Sequence, residues 1–361
     1  MDSILTKVNV PGYRIDNADV HSPMFIAISL MPNGRRPGLP AFTPDHRYLL
    51  IPNEESDNVS ILSLAKLSII HTVELQAGSR PWQAKVLPSG QFAYVTNSRF
   101  QNTATASPRE NSTVSLIDMN IGEVVKEIVV GAGPNGVTVD RKGQKGYVMN
   151  MRSNTVSVID ASAHEVVETL QVGDAPAFGK LTHDGKLLVV TNLGSSSLSL
   201  VDTDRMEVIQ TVEVGIPKLN DSYPEWGEGD TTGVAISSEN IAYVTNWRSH
   251  TIVILDLKTG CTTKFDSPIK HPFGVEIDSV VGVVVFTSGV EKAFAVFDIH
   301  DGKWLGVFPN NGTVFPGLES RMTTLNLWMT DPDNNRLTAL LPRGLKGISE
   351  DWNRNMVTKF M

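Results

Sequence analysis

An all-β fold built from one small sheet repeated along the chain is what this sequence predicts, and three observations predict it. First, a Tyr-Val-Thr-Asn block stands intact at Tyr94-Val95-Thr96-Asn97 and at Tyr243-Val244-Thr245-Asn246, with looser copies at 50–53, 147–150, 189–192, 285–288 and 328–331. Second, these seven copies begin 42 to 54 residues apart, the period of four-stranded blades set around an axis. Third, the stretches between copies alternate with a period of two, are rich in β-branched residues and break at Gly, Asp, Asn and Ser. Those are strand and turn signals, and they leave no room for crossover helices. The expected architecture is a seven-bladed β-propeller of four-stranded blades. It forms one domain over residues 1–361, with blades roughly at 35–342 and a C-terminal tail at 343–361.

The third repeat shows each element in order. Gly133-Pro134 opens an inner strand through Val137 and Val139, and residues 141–144 form a turn. A second strand runs through Tyr147 and Val148 to Asn150. A short polar loop leads into a third strand at 155–160, and an outer strand at 166–172 ends at Gly173. The third strand recurs at 58–62, 112–118, 197–202, 250–256, 293–298 and 336–341. The seventh repeat lacks an outer strand after it, whereas the N-terminus carries a spare apolar segment at 24–30. That segment is expected to complete blade seven and close the ring, which covers otherwise unpaired edges. The alternative is a loose N-terminal strand beside an incomplete blade.

Composition narrows the function classes. The net charge is −8 with no basic run, which argues against nucleic acid as a partner. No apolar stretch reaches the roughly 20 residues that span a bilayer, and residues 1–7 lack the basic start and apolar core of a secretion signal. A single cysteine, Cys261, has no internal disulfide partner and fits a reducing compartment, so a cytoplasmic address is expected. There is no Cys-x-x-Cys, His-x-x-x-His or Gly-x-Ser-x-Gly, and no glycine loop placed to cradle phosphate before a helix. No cofactor and no metal are therefore expected, although single residues from separate blades could meet a metal on the axis.

The repeated Tyr-Val-Thr-Asn block, the Gly-x-x-Pro blade opening and the Asp184-Gly185 turn resemble the YVTN-family seven-bladed β-propellers over roughly residues 35–342. The resemblance implies the fold. It also implies relatives among surface-layer and periplasmic binding proteins and, more broadly, among lactone hydrolases and muconate-cyclising enzymes. No catalytic set of those enzymes maps onto residues here, and fold does not transfer activity.

Function is sought where a repeat departs from its siblings. Two insertions, 98–110 and 216–230, fall on one face of the expected ring; the second carries Tyr223, Glu225, Trp226 and Asp230 and reads as a lid or binding loop. The residue before each blade-opening position is Arg36, Arg80, Gly133, Ala175, Asp230, His271 and Phe315 in turn. Around a closed ring His271, Phe315, Arg36 and Arg80 make one cationic arc, facing the small Gly133 and Ala175. Arginine offers a planar fork of donors to a carboxylate, and His271 is the group best suited to move a proton near neutral pH. Trp82, Gln83, Asn135, Phe178 and Phe273 begin the inner strands, and Trp247 and Arg248 follow the fifth copy. Each reading has a structural counterpart. The arginines can pair with Glu54, Glu55 or Glu319, the aromatics can fill space between blades, and the recurring Asn53, Asn97, Asn150, Asn192 and Asn246 suit a turn where strand two ends. Two functions stay open: a small-molecule enzyme using metal-free acid/base chemistry at the funnel mouth on an anionic or carbonyl-rich substrate, and a platform that binds a peptide or protein partner on the same face.

Overall fold

The computed structural model describes residues 13–14, 25–30, 34–98, 112–216, 229–278, 282–309, 327–331 and 336–342. Six four-stranded antiparallel sheets follow one another along the chain, each running outward in sequence order. Their inner strands are Ala41–Phe42, Pro81–Val86, Pro134–Val139, Pro176–Leu181, Thr231–Ile236 and Gly274–Asp278. Successive inner strands touch one another in that order, so the sheets fan out like blades, and the fold is a β-propeller. A further four-stranded sheet joins the two chain ends. In it Phe25–Leu30 pairs antiparallel with Arg336–Pro342, which pairs on its other side with Leu327–Asp331, and Tyr13–Arg14 lies at the outer edge.

The alternation read from sequence becomes packing between blades. Second strands such as Tyr48–Asn53 and Phe92–Asn97 are buried on both faces after their first residue; Phe92–Asn97 is covered by a blade on either side. Leu50, Val59 and Ile61 of the first blade interleave with Ala84, Val86 and Val95 of the second; Tyr94, Val114 and Leu116 of the second meet Val137, Val148 and Ile159 of the third. Outer strands are mostly exposed, and Thr262–Asp266 is exposed throughout. Five of the six carry a bulge at one register position, where Ile70, Val125, Val167, Ile209 and Leu305 stand exposed. A bulge bends an edge strand away from pairing with other chains.

The asparagine at the end of strand two ties it to strand three. Asn53 Nδ2 donates to Asn58 Oδ1 and Ser60 Oγ at 2.8 and 2.9 Å, and Asn150 donates to Thr155 and Ser157. Asn97 and Asn192 make the corresponding pairs, while Asn246 reaches Thr251 and the Val214 carbonyl. Their recurrence is thus structural, as expected.

A second recurrent device links neighbouring blades. Arg36, Arg80, Gly133, Ala175 and His271, the residues before the opening prolines, all take left-handed backbone conformations with φ between 49° and 62°. For a residue other than glycine this costs on the order of 1–3 kcal/mol, so the surroundings must hold it. Four residues after Asn53, Asn150, Asn192 and Asn246 lies another left-handed residue: Asp57, Asn154, Ser196 and His250. The side chains of three of them, Asp57, Asn154 and His250, accept the backbone N–H of the left-handed residue one blade on. Asp57 Oδ1 takes the Arg80 N–H at 2.7 Å, Asn154 Oδ1 takes Ala175 at 2.9 Å, and His250 Nδ1 takes His271 at 3.0 Å.

Candidate functional site

Two rims and one axial cavity hold most of the described residues singled out by sequence. At the junction of the first two blades, Glu54 lies in a short 3-10 turn, 4 % exposed. Its Oε1 accepts Arg80 Nη2 at 2.8 Å and Nε at 3.2 Å, and its Oε2 faces Arg36 Nε at 3.1 Å. Glu55 approaches Arg36 Nη1 at 3.9 Å. Arg36 and Arg80 therefore do converge, but on a protein carboxylate. Their guanidiniums and the buried Glu54 hold one another in place, which is the salt-bridge reading that the sequence left open.

At the junction of blades five and six the same register is built from rings. His271 lies 4.9 Å from Trp247 and 4.3 Å, edge-on, from His250, centroid to centroid. Trp247 meets Phe273 edge-on at 5.9 Å, and Phe273 meets Phe178 edge-on at 5.9 Å. Such tilted and T-shaped contacts match the positive edge of one ring to the negative face of another. Burial lowers the His271 pKa below the ordinary imidazole range, and the neighbouring His250 and Lys270 charges push the same way. A backbone hydrogen bond with Trp247 and the Glu291 carboxylate oppose this only in part. His271 is thus held toward its neutral form, with a buried Nδ1 that has no hydrogen-bond partner among the described residues.

The aromatic line leads to a cavity of about 70 Å³ between the inner strands. Phe178 and Phe273 form part of its wall, with Gln83, Lys85, Lys180 and Glu276. Lys180 Nζ and Glu276 Oε2 pair at 3.2 Å from blades four and six. Gln83 Oε1 accepts the Val137 N–H at 2.8 Å, which ties blade two to blade three. The space holds a few waters or a small polar group and is well below the roughly 300–1,000 Å³ typical of drug-sized ligands. A larger molecule would have to sit at the mouth and send one group inward.

Sequence reasoning missed Lys85, Lys180 and Glu276, although a signal existed. All three stand four residues after an opening proline, Pro81, Pro176 and Pro272, where other blades place Ala41 and Thr138. A charge in that column faces the axis.

The remaining candidates divide as follows. Trp82 is buried, and its carbonyl accepts the Leu39 N–H at 2.7 Å; it backs the inner strands and does not line the cavity. Asn135 is buried and donates to the Ala177 carbonyl at 2.9 Å. Asp230 is fully buried, with Oδ1 accepting the Arg248 and Ser249 N–H groups and Oδ2 accepting that of Ile216, at 2.7–2.8 Å. It anchors both ends of the second insertion and is spent on backbone, where sequence had placed it facing a ligand. Arg248 Nη2 donates to the Ile216 carbonyl at 3.3 Å, at the base of the same insertion. Tyr223, Glu225, Trp226, Phe315 and Glu319 lie outside the described residues. Among the described residues no three His, Cys, Asp or Glu side chains are placed to hold a metal ion, and no helix is long and apolar enough to cross a membrane.

Comparison with known proteins adds family and fold. A family model described as a domain of unknown function, DUF5074, matches residues 96–290, more than half of the chain. No curated protein matches the sequence significantly. Among solved structures, the chain is similar to a hydrazine synthase of Kuenenia stuttgartiensis, with a TM-score of 0.71 at 16 % identity over 88 % of this chain and 98 % of that one. It is also similar to a virginiamycin B lyase from Staphylococcus aureus, with a TM-score of 0.68 at 13 % identity over 88 % and 99 %. Identities this low speak for the fold alone.

Proposed function

We propose, for a chain that belongs to the DUF5074 family, that it is a small-molecule propeller enzyme working at the mouth of the axial funnel on an anionic or carbonyl-rich substrate. The observation that carries this reading is the unbroken line of rings from rim to cavity, His271–Trp247–Phe273–Phe178, ending beside Lys85, Lys180 and Glu276. An apolar, planar body lies along the rings, while a carboxylate or polarised carbonyl points at the lysines, whose ammonium groups stabilise developing negative charge. Neutral His271, packed beside the Trp247 ring, is the group that accepts a proton, and the Lys180–Glu276 pair is the polar counterpart at depth. Proton transfer of this kind suits ring closure or opening, isomerisation and elimination. Arg36 and Arg80 act here as scaffold that keeps the first two blades in register, so their contribution to substrate is indirect.

Several finer readings accompany this one. The pairing of Phe25–Leu30 with Arg336–Pro342 supports a seventh blade that closes the ring with a strand from each end. The Tyr-Val-Thr-Asn repeats support kinship with the YVTN propellers. The lone Cys261 fits a cytoplasmic address. A lyase and a synthase share the fold, which supports catalysis on this scaffold without naming a reaction. The test is a thermal-shift screen of small carboxylates and lactones, since a ligand bound only by the folded state raises the unfolding midpoint. Hits should then be assayed for turnover in the wild type and in His271→Ala. Binding with turnover lost in the variant supports the enzyme. Binding without turnover in either, or capture of a peptide across the same face, supports the platform.

A further inference from the structure

The blade-to-blade latch has the same geometry at three junctions and a different chemistry at one. The acceptor is an Asp oxygen at Asp57, an Asn oxygen at Asn154 and an imidazole nitrogen at His250. An Asn oxygen accepts at every pH, and a carboxylate accepts throughout the neutral range. An imidazole Nδ1 accepts only while it carries no proton; as imidazolium both ring nitrogens are donors. The observed 3.0 Å contact from the His271 backbone N–H therefore fixes His250 as the neutral tautomer protonated at Nε2. Protonation would turn two donors toward each other and leave the left-handed His271, φ 50°, without the acceptor that holds it.

We infer that His250 is a proton-sensitive latch that positions His271, so that protonation of its ring on acidification loosens the rim of blades five and six while leaving the other junctions closed. The groups around it bear on the direction of the effect. His271 faces the His250 ring edge-on at 4.3 Å, and a second positive charge there is unfavourable. Lys270 precedes His271, and its N–H is held by Glu291 Oε2 at 2.8 Å, which places one cation and one carboxylate on the blade-six side. On its own side Arg248 lies two residues away, with its backbone N–H on the Asp230 carboxylate. Asp266, at the end of the outer strand, precedes Ser267, whose N–H donates to the His250 carbonyl at 2.8 Å. The last bond does not depend on the ring, so the strand stays attached when the latch opens and the change is confined to the 267–273 segment. His250 touches no cavity wall and is a positioning residue, not a catalytic one.

The functional consequence rests on the role proposed for His271, but the latch itself is tested without any ligand. Hydrogen exchange of peptides covering residues 267–273, corrected for intrinsic rate, is measured from pH 8 to pH 5.5 in the wild type, His250→Asn and His250→Ala. Asn reproduces the acceptor found at Asn154 and does not titrate. Protection of the His271 amide should fall at least tenfold on acidification in the wild type, stay level and high in His250→Asn, and stay level and low in His250→Ala. His271→Phe serves as a control for titration of the second ring and should keep the wild-type pH response. The inference is overturned if His250→Asn retains the pH response, if His271→Phe abolishes it, or if the wild type shows none. These outcomes leave the ligand screen untouched, so the latch and the proposed site fail separately.

Discussion

The rim of blades one and two and the rim of blades five and six are built on the same backbone and finished with opposite chemistry. Both place a left-handed residue before the inner strand, and both hold its N–H with a side chain from the preceding blade. The first rim adds two arginines and a buried carboxylate, and every charge there has a protein partner. The second adds rings around His271, which burial holds toward its neutral form. A closed charge cluster contributes rigidity, whereas a neutral imidazole beside an aromatic wall is what a ligand can use. The difference teaches that repeat position sets where a side chain points, and residue choice sets whether it is consumed by the scaffold.

The largest effect is expected where the scaffold is most committed. Glu54→Ala leaves Arg36 and Arg80 facing each other without their shared carboxylate, and breaking a buried pair costs about 3 kcal/mol. Denaturant unfolding should show that loss, while ligand binding at the other rim stays within a factor of two. Comparable damage to binding would merge the two rims into one site.

Phe178→Ala sharpens the comparison from the other side. It removes the last ring of the aromatic line and should weaken any ligand found by thermal shift at least tenfold. The stability loss should be smaller than for Glu54→Ala, because Phe178 is only half-buried.

Next comes pH. Because burial lowers the His271 pKa, its stability contribution is complete above the ordinary imidazole pKa of about 6.5 and is lost as pH falls toward the depressed value. Nitrogen NMR of the His271 ring should show a midpoint below that of a free imidazole. Lys180→Ala should cost about 1 kcal/mol or less, since its side chain is 39 % exposed and such pairs are weak in water, yet it should lower affinity for carboxylates more than for neutral lactones. The smallest effect lies far from both rims. Asp45 is held at about 2, first by the Thr43 hydroxyl and then by Arg47, so its contribution is present above about pH 4 and is lost as pH falls toward 2. Thr43→Val should return the carboxyl titration toward 3.8 without changing ligand binding.

Much of the scaffold was legible because repetition exposes it. The asparagine column, the strand order and the opening prolines recur in register, and each recurrence has one physical cause. The site was legible only in part. Gln83, Phe178, Phe273, Trp247 and His271 stand out as departures from the repeat, and the structure joins four of them into one line of rings. Lys85, Lys180 and Glu276 share the fourth position after an opening proline, but they escaped because that column varies from blade to blade and only the structure shows that it lines the cavity. The latch escaped for a subtler reason. Asp57, Asn154 and His250 look unrelated as residue types, and only geometry shows that each supplies the same acceptor. Asp230 went the other way, since a carboxylate beside a polar insertion reads as a ligand contact until its oxygens are seen to be used by three backbone N–H groups.

The most direct measurement is the unfolding midpoint of the wild type and of Phe178→Ala/His271→Ala across a panel of small carboxylates and lactones. A shift with at least one compound in the wild type, absent in the double variant, is the predicted result. A wild type that responds to none of them, or a double variant that responds equally well, would contradict a ligand site along the rings of blades four to six.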